Sequence, residues 1–107
     1  MDKHATDDPV LTRFRAALAE TYGDRLERAV LFGSRARGAA RPDSDYDIAV
    51  FIRDPDGWFD ELVRLADLGT DILLDTGAVI SAKPFRASAY NANLPLMNAI
   101  RTEGVDL

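Results

Sequence analysis

The sequence predicts an α/β (α+β) fold, one small mixed β-sheet flanked by helices, and three observations lead there. Apolar residues recur at helical spacing in two stretches, 10–22 and 58–68. Two short apolar runs, 28–32 and 46–52, have strand length, the first ended by Gly33 and the second headed by aspartates. The chain has 107 residues, 47% hydrophobic and 29% charged, enough for one modest core and a soluble surface.

Residues 1–8 are polar and acidic and are expected to form a flexible tail, leaving 9–107 as the domain; His4 falls in that tail and receives no role. Val10, Leu11, Phe14, Ala17, Leu18 and Tyr22 follow helical spacing, with Asp8 placed to cap the start and Gly23 to stop the end, so a first helix is expected over 8–22. Residues 28–32 form a buried strand that turns sharply at Gly33, and 34–39 are expected to form a short helix whose first amides point back at that turn. The second strand, 46–52, puts Asp45, Asp47, Ala49 and Phe51 on one face and Tyr46, Ile48, Val50 and Ile52 on the other. Asp54-Pro55-Asp56-Gly57 is turn chemistry, and a long helix starts at Trp58, which is expected to pack on the core rather than stack on a base. Two continuations stay open: the helix runs past Gly69 to Gly77, or it breaks near Gly69 and a strand starts at Asp71. Residues 78–85 form the third strand, with Pro84 favouring an edge position, and a last helix begins near Asn93 with Pro95 in its first turn and Gly104 closing it.

Composition narrows the function. A formal net charge of −5 argues against broad binding to a nucleic-acid backbone, which relies on many cationic contacts. The absence of cysteine excludes disulfides and thiolate chemistry. The longest apolar runs are far shorter than the roughly 20 residues that cross a bilayer, and no signal-peptide pattern opens the chain, so a cytoplasmic protein is the economical expectation.

The chemistry concentrates in residues 31–47. Gly33 lets a phosphate approach the backbone, Ser34 adds a hydroxyl donor, and turn amides without partners attract anions. Arg35, Arg37 and Arg41 lie between this turn and the acids, and Arg35 and Arg37 are the expected phosphate contacts. Aspartate is disfavoured in strands, so two at the head of an apolar strand on the same face need a reason such as a shared hard cation. Asp45 and Asp47 are the candidate metal ligands, and Mg²⁺, which takes a few carboxylates together with phosphate oxygens and waters, is the candidate ion. Such a pair would serve nucleotidyl transfer, where the metal stabilises charge on the α-phosphorus.

Gly33-Ser34, ten residues, then Asp45-x-Asp47 has the spacing of the minimal nucleotidyltransferases of the DNA-polymerase-β-like superfamily, which the sequence resembles most strongly over 28–52. The resemblance includes the small antitoxin partners of HEPN-domain toxins, and it implies a palm-type core. It also implies that Gly33 and Ser34 hold the β and γ phosphates of a nucleoside triphosphate, ATP foremost, while Asp45 and Asp47 bind one or two Mg²⁺ ions and act in catalysis. Members supply a third carboxylate from the next strand. Here residues 78–85 carry no acid, Ser81 stands near the expected place, and Asp71 is the nearest catalytic candidate, with Asp75 beside it. Lys83 and Arg86 would approach the phosphates only if the third strand borders the site. Two functions follow as expectations: transfer of a nucleoside monophosphate to a hydroxyl acceptor, with a HEPN-domain partner as the acceptor the resemblance implies, or a catalytically degenerate module that binds nucleotide or partner.

Overall fold

The computed structural model describes residues 8–107, and the expected tail lies outside the described residues except for Asp8. Asp8 caps the first helix by accepting a hydrogen bond from the Val10 N–H at 2.9 Å, Pro9 occupies the first turn where no N–H is needed, and α1 runs Pro9–Tyr22 to Gly23. A short 3₁₀ turn leads to β1, Leu26–Phe32, and β2 is Tyr46–Ile52. The helix α2 is continuous over Trp58–Thr76 and ends at Gly77 in the left-handed conformation, φ 80°, so no strand begins at Asp71. Gly69 lies in its buried face, where an added Cβ would sit 3.6 Å from Ile80, and this close approach keeps the helix on the sheet. Strand β3, Ile80–Arg86, is followed by a 3₁₀ turn, Ala87–Asn91, then α3, Pro95–Glu103, and a two-residue strand β4, Val105–Asp106.

The sheet order is β3-β2-β1-β4, so Pro84 does fall on an edge strand, where a missing N–H is tolerated. β1 and β2 are antiparallel, β2 and β3 parallel, and β1 and β4 antiparallel. Ile48, Val50 and Ile52 point to one face and pack under Leu11, Phe14 and Leu18 of α1 and Leu65 and Ile72 of α2. Ala49 and Phe51 point to the other, where Met97 and Ile100 of α3 and the 3₁₀ turn cover them, Phe51 stacking on Phe85 and meeting Tyr90 edge-on. The central strand is therefore covered on both faces over Ile48–Ile52, with those five side chains fully buried.

Two expectations give way, and one strand appears that the sequence did not announce. Residues 34–39 form a single turn rather than a helix: the Gly33 carbonyl accepts from Ala36 and Arg37, and the chain leaves at Gly38 with φ 75°. With a left-handed glycine at each end, the segment is too short to propagate a helix past its nucleus. Trp58 is 64% exposed instead of packed on the core, because α2 turns Glu61, Leu65 and Ile72 inward and leaves Trp58 and Phe59 on its outer side. The strand β4 has no sequence signal, since two residues carry no periodicity; it exists because Gly104 packs so closely on Val30 that a side chain there would collide with it.

One polar cluster anchors the α1–α2 interface. The fully buried Glu61 accepts hydrogen bonds from the Tyr22 hydroxyl at 2.9 Å, the Asp56 N–H at 2.8 Å and Arg64 at 2.5 Å. Burial by itself would raise the Glu61 carboxyl, but these three donors hold it below its ordinary value; burial and the Glu61 carboxylate push Tyr22 up to about 12. Glu61→Ala should cost about 1–3 kcal/mol in urea unfolding at pH 7, because it strands the buried Tyr22 donor while half-exposed Arg64 rehydrates. The wild-type advantage should be present above the unfolded Glu value of about 4.3 and shrink as pH falls through the lower folded value. At the alkaline end, Tyr22 favours the folded state less and less as pH rises from about 10 through its raised value.

Candidate nucleotide and metal site

The antiparallel register sets Phe32 opposite Asp47, so the turn that follows β1 begins beside the head of β2. Gly33 sits there with φ 77°, and a Cβ at that position would lie 2.6 Å from Asp47 Oδ2. The carboxylate thus rests against the Gly33 backbone, and only glycine provides both the left-handed turn and the room. Asp45 precedes β2 and is exposed, while Asp47 is half-buried. Neither carboxylate takes part in a hydrogen bond or ion pair among the described residues, and the same is true of the Ser34 hydroxyl. Two acids two residues apart, uncompensated in an arginine-rich neighbourhood, are a donor set for a hard divalent cation.

The arginines are engaged elsewhere. Arg35 donates to the Ser44 carbonyl from Nε at 3.0 Å and Nη2 at 2.8 Å and to the Pro42 carbonyl at 3.2 Å, and its guanidinium lies 3.9 Å from the Tyr46 ring centre. Tyr46 belongs to the face opposite Asp47, and through these contacts Arg35 closes the loop 35–44 on itself. Tyr46 in turn donates to Asp8 at 2.7 Å, and its hydroxyl is raised by burial and by that carboxylate. Arg37 pairs with Glu103 at 3.4 Å on the surface, a tie between the turn and α3 worth under about 1 kcal/mol.

Asp71 is exposed on α2, whose buried stripe packs on the face opposite Asp47, and Asp75 pairs with Arg13 of α1 at 2.7 Å. The structure brings neither to the Asp45–Asp47 pair, and no group of three metal-ligating residues assembles among the described residues. The residue beside Asp47 on β3 is Ser81, and the residue beside Ala49 is Lys83. Lys83 Nζ lies 3.3 Å from Ser81 Oγ. Edge lysines are ordinarily solubility devices, and nothing local in 78–85 tells which face Lys83 takes; the parallel register decides it.

The sequence model described as "Polymerase beta, Nucleotidyltransferase" matches residues 16–104. The chain belongs to this nucleotidyltransferase family. A protein of Methanocaldococcus jannaschii, provisionally named a protein adenylyltransferase, is 38% identical over 76 residues, which cover 71% of this chain and 70% of that protein. Among solved structures, one provisionally described as a minimal nucleotidyltransferase superposes with a TM-score of 0.61 at 24% identity over 99% of this chain and all of that one. Another, a toxin–antitoxin crystallised with AMP-PNP, gives a TM-score of 0.61 at 20% identity over 87% of this chain and 68% of that one. At such identities these two structures establish the shared fold, a mixed four-stranded sheet with three helices. Among the described residues no helix is long and apolar enough to cross a membrane.

Gly33→Ala should destabilise this nucleotidyltransferase fold by about 1–2 kcal/mol from the left-handed backbone, plus a further steric part from Asp47. In a double-mutant cycle read by urea unfolding, Asp47→Ala should remove the steric part and leave the backbone part. A Gly33→Ala variant as stable as wild type would contradict the geometry.

Proposed function

We propose that this chain is an Mg²⁺-dependent nucleotidyltransferase that moves AMP from ATP to a hydroxyl group, with Asp45 and Asp47 as metal ligands and Gly33 and Ser34 as the phosphate cradle. The observation that carries this reading is the contact geometry at Gly33, where the Asp47 carboxylate, without a hydrogen bond or ion pair among the described residues, rests against the backbone of the turn that leads to Ser34. The donor set fits the ion: two carboxylates on one face, with the remaining positions left to phosphate oxygens and water. When bound, Mg²⁺ would screen the triphosphate and stabilise charge developing at the α-phosphorus. The acceptor oxygen bonds to the α-phosphorus, the bond to the bridging oxygen breaks, pyrophosphate departs, and the hydroxyl proton passes to water. The protein's part is to fix the phosphates with the Ser34 hydroxyl and the turn amides and to orient the acids through the β1–β2 register.

The name of the archaeal relative supports protein as the acceptor class, and the toxin–antitoxin neighbour with its AMP-PNP supports a nucleotide and a partner chain. The acceptor we favour is a HEPN-domain toxin partner, for which this chain would be the antitoxin. The outer side of α2, with Phe59 at 67% and Leu74 at 79% exposure, is the kind of apolar surface a partner covers. One observation favours a second reading, a module that binds nucleotide without turnover: the strand beside Asp47 offers Ser81 where an acid would activate the acceptor.

With labelled ATP, Mg²⁺ and a HEPN-domain acceptor, label should enter the acceptor and pyrophosphate should be released. Asp45→Asn with Asp47→Asn should lower transfer by at least about 100-fold, and chelation of the metal should do the same. Transfer indifferent to both substitutions would sink the proposal, and tight Mg·ATP binding without pyrophosphate release would establish the binding module instead.

A further inference from the structure

We propose that Lys83, steadied by Ser81, is a phosphate-binding residue of this site, so that one divalent ion and one ammonium do here what a third carboxylate and a second ion would do. The inference rests on the nucleotide site proposed above and concerns how that site balances its charge.

In the parallel β2–β3 register, Asp47 stands beside Ser81 and Ala49 beside Lys83. Residues paired across a sheet share a face, so Ser81 and Lys83 lie on the face that bears Asp47. That face is divided. Its lower half, around Phe51 and Phe85, is covered by Tyr90 and by Met97 and Ile100 of α3. Its upper half, at Asp47 and Ser81, is only half-buried, and Lys83 is exposed at the boundary beside the small side chain of Ala49. From there the lysine turns toward the upper half, because its Nζ reaches Ser81 Oγ at 3.3 Å, one step along the strand toward Asp47. Among the described residues it makes no ion pair, although it points along the sheet toward an uncompensated acid pair. The nearby Arg35 is held by loop carbonyls and Arg37 by Glu103, whereas the Lys83 ammonium makes no ion pair among the described residues.

Charge balance gives the position a purpose. Two carboxylates cancel one divalent ion and leave the four negative charges of a nucleoside triphosphate to other groups. A third acid with a second divalent ion would add one net positive charge, and a single lysine adds the same. An ammonium has no acceptor capacity and binds phosphate oxygens as a compact point charge, with Ser81 as a further hydroxyl donor. This gives a site that binds one metal ion per nucleotide.

Titration of a fluorescent ATP analogue in Mg²⁺ tests the assignment through binding, without reference to turnover. Lys83→Gln should weaken binding about tenfold or more, the scale of one lost charge-assisted contact, while Lys83→Arg should stay within about threefold of wild type. Paramagnetic titration with Mn²⁺ should count one ion per nucleotide complex. Unchanged affinity in Lys83→Gln, or two Mn²⁺ ions in the wild-type complex, overturns the inference and leaves the nucleotide site standing. No nucleotide binding by wild-type protein overturns both. Because Lys83 is exposed, unfolding curves of the variants should match wild type, which separates lost binding from lost fold.

Discussion

The contact between the Asp47 carboxylate and the backbone of Gly33 is the constraint on which the site depends. It exists because β1 and β2 pair antiparallel with Phe32 opposite Asp47, and it persists because β2 is covered on both faces and cannot shift. A slip of one residue would turn Asp47 into the α1–α2 core and bring Ile48 to the surface, at a cost of several buried side chains. Packing energy far from the acids thus fixes their position to a fraction of a residue. The uncompensated charge of the pair is tolerated because the upper half of that sheet face stays open to water.

The half-covered face is itself a product of the short C-terminal elements. Gly104 lets the chain close on Val30, β4 extends the sheet, and Arg101 pins α3 to the preceding turn through the carbonyls of Tyr90 and Ala92, its guanidinium steadied within the helix by Asn98. Together they hold α3 over Phe51 and leave the heads of β2 and β3 clear. On the opposite face, Glu61 links Tyr22, Asp56 and Arg64, a cluster whose hydrogen bonds are complete and which leaves no buried polar side-chain atom unpaired among the described residues. One face is thus devoted to stability and the other divided between stability and chemistry.

The arginines show how contacts outside the local sequence engage a side chain. Arg35 stands two residues from Gly33 and resembles a phosphate ligand by position, yet a strand-to-loop turn leaves the carbonyls of Pro42 and Ser44 without strand partners, and a planar guanidinium with a fork of donors satisfies them. Tyr46 then offers it a ring face on the side away from Asp47. Lys83 is the converse case. Its local sequence is that of a solubility device on an edge strand, and only its pairing with Ala49 places it on the site face. Asp71 leaves the site for a related reason, since helical continuity through Gly69 carries it to the far side of the sheet.

By itself the sequence determined the features whose causes are local. Helix boundaries at Asp8 and Gly23, the strand that ends at Gly33 and the strand after Asp45 follow from caps, glycines and side-chain period, which neighbouring residues settle among themselves, whereas the end of α2 at Gly77 was one of two continuations left open. The motif Gly33-Ser34 with Asp45 and Asp47 was legible for the same reason, its parts lying within one strand-turn-strand unit. The tertiary structure decided what non-local pairing controls: that β3 lies parallel to β2 with Ser81 beside Asp47, that Arg35 faces the loop while Lys83 shares the face of Asp47, and that α3 covers only half the face. Register between distant strands is set by the total burial of both faces, a sum over the whole chain that no single stretch of it contains.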